Sequence, residues 1–272
     1  MGNHKKRCIL AVFAHPDDET SVGPLLAKYA GEGHEVYLVS FTSGQKGAAH
    51  TKIPPGEQLG SIREGELRCA AERLGIHQPF LFRFQDQGIC DPVVMEKAAE
   101  RLRAVINQTK PDVLITFGPG GLTGHLDHIA ASEITTHVFQ QQGLLQHRPK
   151  KLYYVAFPES RFENVSDSLQ SRPPLHLVSD CFITTEIDCR AFLEKAHAAI
   201  QCHKTQFPPQ RMAWLREMFS KILEGRAFLR LALSTLPSPR GRETSLFDGF
   251  ECDTVLAQPR HSLQQPRSEP RG

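Results

Sequence analysis

The stretch ILAVFAHPDDE, residues 9–19, decides the fold. Its first six residues, Ile9–Ala14, are all apolar, as expected for a central strand of a parallel sheet that is covered on both faces. The apolar run ends at a histidine, a proline and three acidic residues. Because ligands of open α/β sheets bind at the carboxyl ends of the strands, the stretch predicts a buried first strand with a polar site at its end.

The spacing in this polar segment suits a metal ion. Pro16 favours a sharp turn, which brings the His15 imidazole and the Asp18 carboxylate towards one point. Both groups are zinc ligands, and catalytic zinc sites often combine three protein ligands with an open position. The neighbouring Asp17 would then be free to accept a proton from water. The alternative is an acidic helix start with an incidental histidine, because Asp and Glu favour the first turn of a helix.

Apolar strand-like segments alternate with amphipathic segments over the first 160 residues. Strands are predicted at Ile9–Ala14, His34–Phe41, Pro79–Phe84, Asp112–Phe117 and Lys151–Phe157, and helices at Thr20–Glu32, Gln58–Leu74, Pro92–Thr109 and Leu126–Gln142. Such alternation predicts parallel strands joined by right-handed crossovers. We therefore expect a Rossmann-like, doubly wound, mostly parallel sheet flanked by helices over residues 5–160.

The remainder of the chain gives weaker signals. It predicts a surface loop at Pro158–Pro174, a strand at Cys181–Ile187, helices at Cys189–His203 and Met212–Ile222, and a segment packed back on the sheet at Phe247–Phe250. His203 and Gln206 are expected either to close a pocket or to cap a helix, and Trp214 to be a packing anchor. We predict one α/β domain over residues 5–257, including a small C-terminal cap or extension over 161–257. A disordered tail is expected over 258–272.

Composition excludes several classes of protein. The net charge of +2 gives no electrostatic reason to expect a nucleic acid or a strongly anionic membrane as partner. No segment approaches the roughly 20 apolar residues that span a bilayer, and the basic N-terminus lacks the pattern of a signal peptide. The seven cysteines include no CxxC pair, and several of them are expected to be packed thiols, which favours a reducing compartment. The sequence therefore predicts a cytoplasmic protein.

A second polar cluster, GHLDH at residues 124–128, follows the fourth predicted strand. The first and fourth strands are neighbours at the switch point of such a sheet, so His128 can complete a metal site with His15 and Asp18. The preceding glycine-rich loop, residues 118–124, is neither a dinucleotide fingerprint nor a P-loop.

The two other polar residues of this cluster suggest catalytic tasks. His125 shares a helix face with His128 and could stand across the substrate as an acid or oxyanion donor, while Asp127 could orient an imidazole and raise its pKa. The alternative is a polar helix start with two surface histidines. Two acid–histidine clusters at adjacent strand ends favour a site.

Together, these motifs resemble the LmbE-like or PIG-L superfamily of zinc-dependent N-acetylglucosamine deacetylases. The resemblance covers about residues 8–206 and rests on AHPDDE at 14–19, REGEL at 63–67, GHLDH at 124–128 and HKTQ at 203–206. It implies zinc bound by His15, Asp18 and His128, with Asp17 as general base.

The resemblance also implies roles for three further residues. His125 would be the acid and oxyanion stabiliser, supported by Asp127, and Arg63 would contact substrate hydroxyls. The alternative for Arg63 is a helix salt bridge with Glu64 or Glu66.

The chain departs from the superfamily pattern at two positions. Leu126 stands where proline is common, which concerns the backbone and spares the chemistry. Thr123 stands where some members carry a tyrosine near the substrate carbonyl, so that this oxyanion contact is missing or comes from elsewhere. The membrane anchor of the eukaryotic glycolipid enzymes is also absent, which favours a soluble substrate.

The expected activity is removal of the acetyl group from a small N-acetylglucosaminyl compound, with zinc or another divalent first-row metal. One alternative is an amidase that cleaves a larger amide of a glucosaminyl thiol conjugate. Another is a sugar-binding protein with a degenerate site. The aglycone does not follow from the sequence, and a homo-oligomer is left open.

Overall fold

The computed structural model describes residues 5–47, 50–163, 165, 175–237 and 241–250. Its strands are β1 (Cys8–Phe13), β2 (Glu35–Thr42), β3 (Phe80–Phe84), β4 (Val113–Phe117), β5 (Lys151–Val155), β6 (Thr185–Asp188) and β7 (Arg226–Ser234). Its helices are α1 (Gly23–Gly31), α2 (Glu57–Leu74), α3 (Pro92–Thr109), α4 (Leu126–Gln140), α5 (Glu159–Phe162), α6 (Leu193–Ile200) and α7 (Pro209–Glu217). Short 3₁₀ turns precede α1 and α6, and a π-helical turn, Met218–Ile222, extends α7.

The strands form one sheet in the order β3-β2-β1-β4-β5-β7-β6. Strands β1 to β5 are parallel, which confirms the predicted doubly wound, mostly parallel sheet. Strand β7 was not predicted, and it runs antiparallel to both β5 and β6. The strand expected at Cys181–Ile187 begins only at Thr185, because residues Asp180–Phe182 form a 3₁₀ turn.

Strand β1 lies at the centre of the molecule, and all six of its residues are buried. Successive side chains of a strand point to opposite faces. Phe13 therefore packs among α1 and α2 residues such as Leu26 and Leu67, whereas Val12 packs among α3 and α4 residues such as Leu102 and Ile134. Between β2 and β4, β1 occupies the switch point of the sheet. Its carboxyl end therefore meets that of β4, as the site prediction requires.

The segment at residues 241–250 packs on the sheet, as expected for Phe247–Phe250. The Nζ atom of buried Lys151 lies 2.5 Å from Glu243 Oε1, and the hydroxyl of Tyr153 donates to Glu243 Oε2 at 2.8 Å. Phe250 is buried as well. The tail predicted over 258–272 lies outside the described residues, as does most of the loop predicted at Pro158–Pro174, within which residues Glu159–Phe162 form α5.

The state of the cysteines, as free thiols or as a disulfide, agrees only in part with the prediction. Cys69 of α2 and Cys202, which follows α6, form a disulfide, so the expectation of packed thiols was wrong for this pair. The two residues are 133 positions apart, and their spacing gives no sign that α2 packs against α6. Cys8 and Cys189 are buried free thiols, as expected. No helix in the described ranges is long and apolar enough to cross a membrane.

Candidate active site

The site forms where the chain leaves β1 and where it enters α4. After β1, the backbone of Asp17 has a φ of 103°, a conformation that residues other than glycine rarely adopt. Before α4, Gly121 has a φ of 63°, and a Cβ atom there would lie 2.9 Å from His128 Cβ. The carbonyl oxygen of Gly121 accepts a hydrogen bond from His128 Nδ1 at 2.9 Å. These two turns place the side chains of Asp17 and His128 at the carboxyl edge of the sheet.

Three predicted ligand atoms converge at this edge. His15 Nδ1 lies 3.1 Å from His128 Nε2 and 3.6 Å from Asp18 Oδ2, and His128 Nε2 lies 3.2 Å from Asp18 Oδ1. Metal–ligand bonds of 2.0–2.1 Å in a tetrahedron separate the ligand atoms by about 3.3 Å. The three side chains therefore have the mutual spacing of zinc ligands.

The hydrogen bonds behind these ligands leave lone pairs pointing inward. His128 Nδ1 donates to Gly121, so its Nε2 is free of a proton when the ring is neutral. His15 Nε2 lies 3.2 Å from both Asp86 Oδ1 and Asp127 Oδ2, which in the same way leaves its Nδ1 as an acceptor. Carboxylates behind a ligating histidine are typical of metal centres. Two imidazole lone pairs and a carboxylate that face each other need a cation between them, so the residues fit a divalent metal.

Asp86 is a part of the site that the sequence interpretation missed. It lies just after β3, is 3% exposed, and accepts a hydrogen bond from the backbone N–H of Lys46 at 2.8 Å. His15, Asp86 and Asp127 form a second cluster with ligand atoms close enough for a metal ion. The available signal was its position, since Asp86 follows a predicted strand at the edge where His15 lies.

Asp127 contacts two of the site histidines. Its fully buried carboxylate contacts His15 and accepts the backbone N–H of Gln87 at 2.6 Å. Its contact with His125 runs through the backbone instead, because Asp127 N–H donates to His125 Nδ1 at 3.2 Å. The backbone of Asp127 thus fixes the His125 ring, and its carboxylate orients the His15 imidazole. The predicted support of His125 by Asp127 stays a prediction.

The predicted base, Asp17, is held by Arg63. Arg63 Nη2 donates to Asp17 Oδ1 at 2.9 Å and also to the carbonyl of Pro16, while Nη1 donates to the carbonyl of Gly44 at 2.6 Å. Burial raises the pKa of Asp17 to about 6, with the Arg63 guanidinium opposing the rise and the Asp18 carboxylate adding to it. The side chain of Asp17 is thus fixed beside the three ligand atoms.

The helix salt bridge considered for Arg63 does not form. Glu64 instead pairs with Arg83 at 2.8 Å, and Glu66 accepts hydrogen bonds from the backbone and hydroxyl of Thr205. Arg63 lines the cavity described below, and its buried Nε atom has no hydrogen-bond partner. Arg63 therefore reaches the cavity wall while its guanidinium is held by Asp17 and by the carbonyls of Pro16 and Gly44.

The HKTQ segment supports the site from behind. His203 Nε2 lies 2.6 Å from Glu19 Oε1, and Glu19 Oε2 accepts the backbone N–H of Asp17 at 3.0 Å. Gln206 lines the cavity and donates to the carbonyl of Gly47. Of the two roles left open for this segment, Gln206 is at the pocket wall, whereas His203 is a buried partner of Glu19.

A cavity of about 720 Å³ opens over these groups. One wall is largely apolar and consists of Phe157, Leu175, Phe207, Trp214, Leu215 and Met218. Trp214 belongs to the hydrophobic core and also faces this cavity, so it is both a packing anchor and part of a ligand-facing wall. The volume is typical of sites for small molecules.

Leu126 and Thr123, the two residues that depart from the superfamily pattern, differ in their distance from the site. Leu126 is 65% exposed in the first turn of α4, where its side chain has no part in the site. Thr123 lines the cavity, and its hydroxyl lies 3.4 Å from His128 Nδ1.

Comparison with known proteins assigns the class. The family model described as PIG-L, GlcNAc-PI de-N-acetylase, matches residues 10–139, which include both histidine clusters. The 1D-myo-inositol 2-acetamido-2-deoxy-alpha-D-glucopyranoside deacetylase of Thermobifida fusca (strain YX) is 34% identical over 238 residues, covering 74% of this chain and 83% of that protein. The chain therefore belongs to the PIG-L family, which confirms the resemblance and the predicted class of enzyme, an N-deacetylase.

Solved structures agree on the fold. The N,N'-diacetylchitobiose deacetylase from Pyrococcus horikoshii aligns with a TM-score of 0.63 at 19% identity, covering 83% of this chain and 82% of that one. The 4-carboxy-2-hydroxymuconate hydratase from Pseudomonas putida aligns with the same TM-score at 17% identity, covering 86% and 99%. Because this fold carries two different reactions, the activity has to be argued from the site.

Proposed function

We propose that this chain removes the N-acetyl group from an N-acetylglucosaminyl compound with a divalent metal, zinc in the first place, held by His15, Asp18 and His128. The proposal rests on one observation: the three acceptor atoms lie 3.1 to 3.6 Å apart and line the same cavity as Asp17. When bound, such an ion polarises a carbonyl and lowers the pKa of a coordinated water.

Asp17 is the proton acceptor in this proposal. Its carboxylate accepts a hydrogen bond from Arg63 through Oδ1, so Oδ2 remains for a water molecule. General bases work best when their pKa lies near the working pH, which the buried position of Asp17 favours. Asp17 therefore takes a proton from the attacking water, and Arg63 keeps it in place.

His125 completes the proton transfers. It lines the cavity, with its ring centroid 4.9 Å from that of His15 and of His128. From there it stabilises the negative charge that develops on the carbonyl oxygen and donates a proton to the leaving amine. Asp127 and Asp86 hold the His15 ring. Arg63 lines the cavity, and its contact with substrate hydroxyls stays a prediction.

The relatives point to the substrate. The Thermobifida protein is a deacetylase of an α-glucopyranoside of myo-inositol, so we propose an α-linked N-acetylglucosaminyl glycoside as the substrate here. The alternatives are a larger amide of a thiol conjugate and a non-catalytic sugar-binding protein. A cytoplasmic location stays a prediction, and a homo-oligomer stays open.

Acetate release tests the proposal. Free N-acetylglucosamine, its oligomers and its α-linked glycosides, including the inositol glycoside, would be compared using metal-loaded protein and the Asp17→Asn variant as control. We expect release from an α-glycoside and a fall of about 10²–10⁴ in rate for the variant. Cleavage of only larger amides would favour the amidase, and inactivity on the whole panel would contradict the proposal.

A further inference from the structure

The acidic side chains that line the cavity are already paired, whereas two of its cationic side chains are not. The three acidic residues of the lining, Asp17, Asp18 and Asp86, are each in contact with Arg63 or with a site histidine. Lys46 and Arg211 also line the cavity. Within the part of the chain that the structure describes, no acceptor lies within hydrogen-bond reach of the Lys46 ammonium or the Arg211 guanidinium. The cavity therefore has two cationic side chains whose hydrogen-bond donors are without an acceptor in the described part of the chain.

Arg211 is held in position without using its hydrogen-bond donors. It lies in α7, is half-buried, and its Cζ atom lies 4.3 Å from the centroid of the Trp214 ring. Burial lowers the pKa of Arg211, and the Asp17 carboxylate acts against that shift. Stacking on an aromatic face orients the guanidinium plane while leaving its fork of N–H groups free for a carboxylate or a phosphate.

Lys46 comes to the cavity from a different element. It lies in the loop between β2 and α2, and its backbone N–H is fixed by Asp86 at 2.8 Å. This loop is joined to the segment before α7 by hydrogen bonds from Gln206 to the carbonyl of Gly47 and from the backbone N–H of His50 to the carbonyl of Thr205. The elements that carry Lys46 and Arg211 are thus tied together beside the site.

We propose that Arg211 and Lys46 form a subsite for an anionic group, a phosphate or a carboxylate, on the aglycone of the substrate. The inference rests on the proposed deacetylation, which requires the acetamide at the metal-ligand cluster. The subsite itself assigns the aglycone to the α7 side of the same cavity. Arg211 supplies a planar pair of donors on its Trp214 support, and Lys46 supplies a mobile point charge. The natural substrate would then be a charged glycoside rather than a neutral one.

Three matched glycosides test this subsite. They are N-acetylglucosaminyl α-glycosides with propyl, 2-carboxyethyl and 2-phosphoethyl aglycones, which differ in charge at the same distance from the sugar. We expect kcat/KM to be about 10- to 100-fold higher for an anionic glycoside than for the propyl glycoside, the range of a charge-assisted contact. The ratio between the carboxyethyl and phosphoethyl substrates distinguishes the two anions.

The variant Arg211→Gln should abolish most of that preference while leaving kcat/KM for the propyl glycoside within about twofold. Lys46→Gln should reduce the preference for anionic glycosides less than Arg211→Gln does, because a flexible ammonium gives up more side-chain entropy on binding. Arg230→Gln is the matched control, since Arg230 is stacked on Phe182 at 5.3 Å and does not line the cavity. Equal kcat/KM for all three glycosides, or an equal loss on all three in Arg211→Gln, would overturn the subsite.

Binding provides a second measurement that does not depend on turnover. Calorimetry of the same glycosides with metal-loaded Asp17→Asn protein should show tighter binding of an anionic glycoside, and adding Arg211→Gln should remove the difference. If none of the glycosides releases acetate, the proposed activity fails, but this comparison still decides the subsite. Binding that does not depend on the aglycone charge would refute the subsite whatever the activity.

Discussion

His203 and Glu19, 184 residues apart in the chain, form a 2.6 Å hydrogen bond with both side chains closed off from solvent. The second carboxylate oxygen of Glu19 accepts the backbone N–H of Asp17, the residue with a φ of 103°. A strained backbone persists only where its surroundings fix it. The pair therefore positions the proposed base without touching a substrate.

The first prediction concerns Glu19. Replacing Glu19 with Gln keeps the shape of the side chain but removes the charge that His203 contacts, so the Asp17 backbone should relax. We expect kcat to fall roughly 10- to 100-fold, because small displacements of a catalytic group carry costs of that order. Bound metal should stay at about one ion per chain, since Glu19 is not among the three proposed ligands.

Glu64→Gln is the control for this change, since Glu64 is also buried but pairs with Arg83 away from Asp17. It should lower the free energy of unfolding and leave kcat unchanged. The positioning role is wrong if Glu19→Gln retains full kcat, or if it loses metal and kcat together.

The second prediction is a pH dependence of stability. Burial disfavours a charged His203, but the Glu19, Asp17 and Glu66 carboxylates outweigh it and raise its pKa. A raised pKa in the folded state gives stability that is fully present below the ordinary histidine value of about 6.5 and is lost as pH rises through the raised value. Denaturant unfolding should thus show the largest deficit of His203→Gln near and below pH about 6.5, shrinking at higher pH. A deficit that is constant across this range would argue against a charged His203.

The third prediction separates the two adjacent aspartates. Asp18→Asn should lose metal, because Asp18 is one of the three proposed ligands. Asp17→Asn should keep the metal, but its rate should fall by about 10²–10⁴. Elemental analysis and acetate release on both variants, with wild-type protein before and after chelation, measure this asymmetry. Full activity of Asp17→Asn, or loss of metal from both variants alike, would end the assignment.

The fourth prediction concerns the disulfide. Replacing Cys69 and Cys202 with Ser should lower the free energy of unfolding by about 2–5 kcal/mol, because the bond closes a long loop in the unfolded chain. Intact mass after alkylation, with and without reductant, should show one extra pair of reactive thiols on reduction. Cys90→Ser, at an exposed free thiol, is the matched control and should leave stability unchanged. Identical masses in the two conditions would show that the bond is absent in solution.

The sequence was sufficient to predict the parts of the site that depend on residues close together in the chain. It was also sufficient for those that follow from the alternation of strands with helices. His15 and Asp18 share one turn, His128 lies on the turn after β4, and the strand alternation placed β4 beside β1. The sequence was therefore sufficient to predict the proposed ligand cluster, with Asp17 beside it.

Contacts between distant segments could not be predicted in this way. The pairing of Arg63 with Asp17 and the bond between Cys69 and Cys202 depend on how helices pack, which side-chain periodicity does not encode. Strand β7 is rich in Leu and Ala, which are good helix formers, and its extended form depends on pairing with β5 and β6.

The Lys151–Glu243 pair makes residues 241–250 a structural part of the sheet. Removing one partner of a buried ion pair costs about 3–5 kcal/mol, because the other charge stays buried without compensation. Tyr153 would lose its acceptor in the same step. For protein engineering, this sets a boundary: fusion partners belong beyond residue 250, and any insertion between β7 and Glu243 has to preserve the path that returns Glu243 to Lys151.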